Sequence, residues 1–267
     1  LHIQSDNEVN GEPCDNISGK NASYNEMTAL YWAWKNLKNL YPDVKYVGLF
    51  HYRRFFAFDE SKYFDVKIRK LESEIINYKI DADKIIKILE SGKIILPKKS
   101  VHPFSMFIQY CLGALFDDYA FTKNIIQEKF PDYYKDFLNV LEFNNKLHGC
   151  NMFIMKYEDF TKYCEWIFNV MKLIEPGMIN YNAYQKRAPA FMAERLFNVY
   201  VRKHKMKAKN FNIYHYGNAS DTKNPVKKFL GYLSRFFYYC RCNMIMFLAN
   251  LSPRRLRWLF TKNPSKP

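Results

Sequence analysis

Apolar residues recur along the chain with two periods, 3.6 and 2. From Ser23 to Leu40, residues Met27, Leu30, Tyr31, Trp34 and Leu37 follow the spacing of an amphipathic helix. Ser23 and Glu26 form an S-x-x-E capping box at its start, and Pro42 follows its end. Trp34 lies on the apolar stripe and reads as core, which leaves Trp32 on the opposite face to meet a ligand. Lys45 to Phe50 is a short buried strand that ends in His51-Tyr52-Arg53-Arg54. A second helix runs from Asp81 to Ser91, with Ile85, Ile86 and Leu89 on one face and Gly92 as its stop. It leads into the strand Lys93–Leu96, closed by Pro97. Helices are predicted over Asp117–Lys129 and Tyr133–Leu141, with Pro131 between them. The strand Asn151–Met155, the helix Tyr157–Ile174 and the helix Ala190–Lys203 complete the body. Residues 1–22 are polar and rich in turn formers, a loop. Strands alternating with helices predict an α/β sheet with helices on its faces.

Beyond residue 222 the pattern changes. Phe229, Leu230, Leu233, Phe236 and Phe237 recur at helical spacing among Lys227, Lys228, Arg235 and Arg241. From Lys223 to Pro267 there are ten Lys and Arg and no Asp or Glu, so ten of the chain's net +15 charges lie in this tail. The body is only mildly basic, which argues against a nucleic-acid-binding surface. A basic helix with an aromatic face suits the headgroup boundary of an anionic membrane; the competing reading is a helical pair packed on the body. Arg241 interrupts the apolar run, and no apolar stretch has the length of a transmembrane helix. The six cysteines show neither C-x-x-C spacing nor metal-ligand spacing with the six histidines, the pattern of reduced thiols in a cytoplasm.

There is no Walker loop, no G-x-G-x-x-G, no H-E-x-x-H and no G-x-S-x-G. The one Asp-x-Asp, Asp81-Ala82-Asp83, precedes an apolar helix and reads as an N-terminal cap rather than a metal site. No cofactor is predicted, and a divalent ion is left open. The more pointed feature is His51-Tyr52-Arg53-Arg54, at the carboxyl end of a strand, where α/β sheets bind ligands. Two adjacent arginines there would neutralise a diphosphate; the alternative is an internal salt bridge.

These residues carry a resemblance. Asp15-Asn16-Ile17-Ser18-Gly19-Lys20-Asn21, then Tyr31-Trp32-Ala33-Trp34-Lys35-Asn36, then Gly48-Leu49-Phe50-His51-Tyr52-Arg53-Arg54, resemble a bacterial glycosyltransferase family. Its members occur in capsule and lipopolysaccharide O-antigen synthesis, and it was long catalogued as a domain of unknown function. Weaker matches continue through Asn151–Met155, Gln185-Lys186-Arg187 and Glu194-Arg195-Leu196, so that residues 1–216 form the matching domain and 223–267 the tail.

The resemblance implies a GT-A-like fold, whose first strand would precede Leu1. It also implies transfer of a sugar from a nucleotide donor, a UDP-sugar such as UDP-galactofuranose, to a lipid-linked glycan. On it, Asp15, Asn16, Asn21 and Tyr24 lie on the donor side, and Arg53 and Arg54 clamp the phosphates. His148, Asn151, Gln185, Arg187 and Arg195 face the acceptor. Glu194 is the expected proton acceptor and His51 the alternative. For Asp15 a turn, for Tyr24 packing, for Glu194 a surface ion pair and for His148 a structural role compete with these assignments, and Glu26 is explained by its capping box. The protein is expected in the cytoplasm, peripheral on the inner face of the plasma membrane. The competing function is a non-catalytic polyanion- or membrane-binding protein driven by the tail.

Overall fold

The computed structural model describes residues 8–9, 12–51, 53–58, 67–70, 80–178, 182–216 and 225–251. Tyr52, the segment 71–79 ahead of Asp81, the segment 217–224 and the tail beyond residue 251 lie outside the described residues.

The chain opens with a ribbon of β1 (Glu8–Val9) and β2 (Glu12–Pro13), then a 3-10 turn at Ser18–Lys20 and the short α1 (Asn21–Tyr24). Helix α2 (Glu26–Leu40) leads to β3 (Tyr46–Leu49), β4 (Arg54–Ala57) and β5 (Lys67–Lys70). Helix α3 (Ala82–Glu90), β6 (Ile94–Pro97), β7 (Ser100–Val101) and α4 (Met106–Cys111) follow. Next come α5 (Phe116–Lys129), α6 (Pro131–Leu141), β8 (Lys146–Leu147), β9 (Phe153–Lys156) and α7 (Tyr157–Ile174). Helix α8 (Ala188–Lys203), the long strand β10 (Ala208–Tyr216) and α9 (Pro225–Leu251) complete the described chain.

Six strands form one mixed sheet in the order β3-β9-β6-β10-β4, with β5 also paired to β10. Strand β9 is antiparallel to both β3 and β6, and β10 is parallel to β6. The carboxyl ends of β3, β6 and β10 therefore share one edge. The first half of β10 pairs with β6; its second half pairs with β4 antiparallel and β5 parallel.

Both faces of the sheet are covered, and the period of two divides the side chains between them. Ile94 and Leu96 of β6 and Phe153 and Met155 of β9 enter the larger core, with Phe160 and Tyr163 of α7 and Leu196 and Phe197 of α8. Ile95 and Ile154, from the same strands, point the other way and meet Ile85 and Leu89 of α3 and the rings of Phe56, Phe58 and Phe211. Each such side chain stabilises by about 1.5–3 kcal/mol relative to exposure. Asp81 caps α3: its carboxylate accepts from the Lys84 N–H at 3.0 Å, as the sequence led one to expect.

Four local expectations are corrected. The helix predicted from Ser23 breaks at Asn25, whose φ of 46° splits off α1. Ser23 then lies inside α1, no side chain caps α2, and the capping box does not form. Trp32, expected to face a ligand, is core, and Trp34 packs at the margin of the core. Trp32 is 5% exposed, because residues 14–17 fold over that side of α2 and the Asn36 amide donates to Asp15 O at 2.9 Å. Trp34 is half-buried, stacked on Phe168 with Lys35 Nζ 3.8 Å from its ring. The opening loop contains the ribbon, the 3-10 turn and α1. Finally, β4, α4 and β10 appear where no regular element was expected.

Candidate active site

The edge where β3, β6 and β10 end gathers the polar side chains. His51 follows β3, Arg54 opens β4, and His215 sits near the end of β10, opposite Arg54 in register. Antiparallel β9 begins at this same edge, so Cys150 and Asn151, just ahead of it, lie alongside. Pairing of Leu49 with Phe153 fixes that juxtaposition. This is the edge at which open α/β sheets hold ligands.

One side of the site is cationic. Burial, then Arg54, Arg53, His215 and Arg187, push the His51 imidazole down to about 4, so it is neutral at pH 7. Those four groups lie close enough to act on one ring. Arg53 N–H faces His51 Nδ1 at 3.5 Å. Arg54 Nε is buried without a hydrogen-bond partner. A buried guanidinium N–H left unpaired is costly, and an anion at this place would satisfy it.

The other side is acidic. Glu26, at the first turn of α2, accepts a hydrogen bond from Asn151 Nδ2 at 2.7 Å. Burial raises its carboxyl above the ordinary range, and the Glu194 charge adds to this; Asn151 and Arg187 oppose it. Glu194, on α8, accepts the backbone N–H of Cys150 through Oε1, and its Oε2 lies 3.6 Å from Arg195 Nη1. Cys150 and Asn151 have φ values of 73° and 49°, two consecutive non-glycine residues in the left-handed region. Such strain persists where the surroundings impose it, and here both residues of the turn hold a carboxylate. Arg187, the last residue of the 3-10 turn Gln185–Arg187, acts electrostatically on both Glu26 and His51 and so stands between the two sides.

The remaining predicted residues fall outside this pair of clusters or turn inward. Asp15 accepts the Tyr31 hydroxyl at 3.0 Å, and Asn16 Oδ1 accepts the Ser18 N–H at 3.1 Å, a local turn. Asn21 is exposed and accepts from Thr28 Oγ1 at 3.4 Å. Tyr24 is buried, with its hydroxyl on Glu175 at 2.9 Å, so packing accounts for its ring. His148 is buried and its Nδ1 lies 2.6 Å from Pro97 O, which makes that nitrogen the donor. Asn198 accepts the His148 N–H and donates to its carbonyl, a structural clasp. Arg195 turns into the core, donating to Phe191 O and Gln109 and lying over the Tyr110 ring. Gln185 is half-buried beside Asn182.

Sequence reasoning passed over Cys150 and His215 and explained Glu26 away. His215 ends a strand much as His51 does, and that parallel was available as a signal. Among the described residues no three His, Cys, Asp or Glu side chains are grouped as a metal-ligand set.

The arrangement as a whole can hold a polyanion on one side while a carboxylate accepts a proton on the other. The comparisons with known proteins agree in kind. A solved structure described as the apo form of WbbM, a bifunctional glycosyltransferase, is similar at 29% identity with a TM-score of 0.59. The similarity covers 76% of this chain but only 38% of that protein. No curated protein sequence matches. Residues 1–205, which carry every residue of the site save His215, match the family described as Domain of unknown function (DUF4422), and the chain belongs to that family.

Proposed function

We propose that the protein is a glycosyltransferase with a GT-A-like fold, which moves a sugar from a nucleoside-diphosphate donor to a hydroxyl of a lipid-linked glycan. A UDP-sugar, UDP-galactofuranose among them, is the donor class, and capsule or O-antigen assembly is the setting. The observation that carries this reading is the division of the site into a cationic side with an unpaired Arg54 N–H and an acidic side with two carboxylates. The likeness to a bifunctional glycosyltransferase supports it.

Arg53 and Arg54 take the diphosphate and neutralise the charge that builds on it as the bond between the anomeric carbon and the phosphate oxygen breaks. The acceptor hydroxyl forms the new carbon–oxygen bond, and its proton passes to a carboxylate. Glu26 suits that role better than Glu194. Burial raises its proton affinity towards that of a working base, and Asn151 orients it. Both oxygens of Glu194 are committed, one to Cys150 and one to Arg195. His51, neutral at pH 7, hydrogen-bonds to the sugar or phosphate without adding charge. The alternative of a polyanion-binding protein leaves the paired carboxylates without a role.

The test is thermal stabilisation and titration with UDP and a panel of UDP-sugars, followed by transfer to a soluble acceptor mimic. Stabilisation by UDP that is lost in Arg53→Ala/Arg54→Ala is expected. A folded double variant that binds UDP normally sinks the clamp, and binding without transfer to any acceptor sinks the transferase reading.

A further inference from the structure

Helix α9 is held on the body along one side and presents a second apolar side away from it. Cys242 and Met246 are buried, and Asn145 Nδ2 donates to the Cys242 carbonyl at 3.2 Å. At 100° per residue, Leu230, Leu233, Phe237, Met244, Phe247 and Leu248 fall within about 100° of one another, on the side opposite Cys242 and Met246. All six are exposed; Phe237 and Phe247 are 60% and 62% exposed. The stripe runs for about 27 Å. Single exposed apolar residues need no explanation, but a continuous stripe of large ones does.

We infer that this stripe is a membrane-contact surface, with the helix lying flat in the headgroup region of an anionic bilayer. This goes beyond the sugar chemistry and stands on the helix itself. Charge selects the occupant. The helix has no acidic residue, and on the same wheel Arg241 and Lys227 border the stripe at about 20° and 60° from its edge, while Lys228 and Arg235 fall on the side of Cys242 and Met246. A second copy of the chain would bring like charges together, whereas anionic lipid complements them. Among the described residues no helix is long and apolar enough to cross a membrane, which leaves a surface position for this one. The helix also docks beside the ribbon of β7 and β8: Asn145, which holds it, immediately precedes β8, and Cys150 follows five residues later. At most about 17 Å of chain then separates the helix anchor from the turn that holds the two carboxylates.

The experiment is flotation of the full chain with phosphatidylcholine vesicles, with and without phosphatidylglycerol. Binding is expected to the phosphatidylglycerol vesicles and to weaken with salt. Phe237→Asp/Phe247→Asp should lower partitioning about ten-fold or more, since two large apolar side chains lose their burial. Leu112→Asp, at a still more exposed apolar site elsewhere on the body, should leave it unchanged. Amide exchange on the unaltered chain supplies a measurement that needs no variant: residues 230–248 should gain protection when vesicles are added. The inference is overturned if the chain fails to float, or if both variants float like the parent. It is equally overturned if exchange over 230–248 ignores lipid, or if light scattering shows a lipid-independent dimer that the double substitution dissolves.

Discussion

Replacing Glu26 with Gln and, separately, Glu194 with Ala should separate proton transfer from architecture. Gln is isosteric with Glu, and its amide oxygen can still accept from Asn151 Nδ2, now 2.7 Å from the carboxylate. Removing a positioned base typically costs about 10²–10⁴ in turnover. The fold should not suffer. Burial raises the Glu26 carboxyl in the folded state, so the folded protein holds that proton more tightly than the unfolded chain does. The associated stability is complete below the unfolded value and is lost as pH rises through the folded one. At pH 7 and above, Glu26→Gln therefore removes a penalty, and its Tm should equal or exceed the parent's. Glu194→Ala behaves differently. It strips the buried Arg195 of its carboxylate at 3.6 Å and the Cys150 N–H of its acceptor. Leaving the Cys150 N–H without its acceptor costs about 1–3 kcal/mol, which is about 2–12 °C in Tm for a chain of this size. The assay is transfer kinetics on a soluble acceptor mimic beside a thermal melt of each variant. Turnover of Glu26→Gln within about three-fold of the parent, with the loss found instead in folded Glu194→Gln, would refute the assignment and return the proton to Glu194.

Other outcomes follow from the same geometry. Arg53→Ala and Arg54→Ala should each weaken UDP binding by about ten-fold or more, as expected for loss of a charge-assisted hydrogen bond; isothermal titration measures it. If the arginines neutralise the leaving group, turnover should survive EDTA; complete loss restored by Mn²⁺ would assign that charge to a metal ion. His51 and His148 both titrate near 4 in the folded protein, chiefly through burial, so the unfolded chain binds more protons between pH 6.5 and 4. Stability should fall across that window as pH drops, and His148→Gln should flatten the slope in chemical denaturation. Asn151→Gly relieves the φ of 49° but removes the bond to Glu26, so turnover should fall about ten-fold with little change in Tm.

Much of the frame was legible because local pattern and tertiary environment agree. Tyr157–Ile174 carries a helical period whose apolar face is buried against α8 and the sheet, and it begins and ends where the pattern does. The strand ending in His51 was readable from an apolar run that stops at charge, although it is a half-buried edge strand rather than a buried one, and sheet topology places His51 at the carboxyl edge of β3, β6 and β10. Strand β10 was not read, although Phe211 and Ile213 alternate with Asn210 and Asn212. Its polar members and the basic Lys203–Lys209 approach disguised a strand that is buried only through pairing on both sides. The carboxylate pair was hidden for another reason. Glu26 and Asn151 are 125 residues apart, and Glu26 has a sufficient local explanation as a capping residue. Only the break at Asn25 removes that explanation, and nothing short of the tertiary fold reveals the break.

The turn at Cys150 and Asn151 has one more consequence. Its first residue grips Glu194 by a backbone N–H and its second grips Glu26 by a side chain. One dipeptide thus acts as a caliper whose two jaws set the gap between the carboxylates, and neither jaw can be adjusted alone. Asn151→Ala combined with Glu194→Gln should therefore be non-additive in a double-mutant cycle, although the two side chains bond to different partners. If the proposed transfer reaction holds, a change in this gap requires rewriting the pair of residues together, so acceptor specificity should shift in steps.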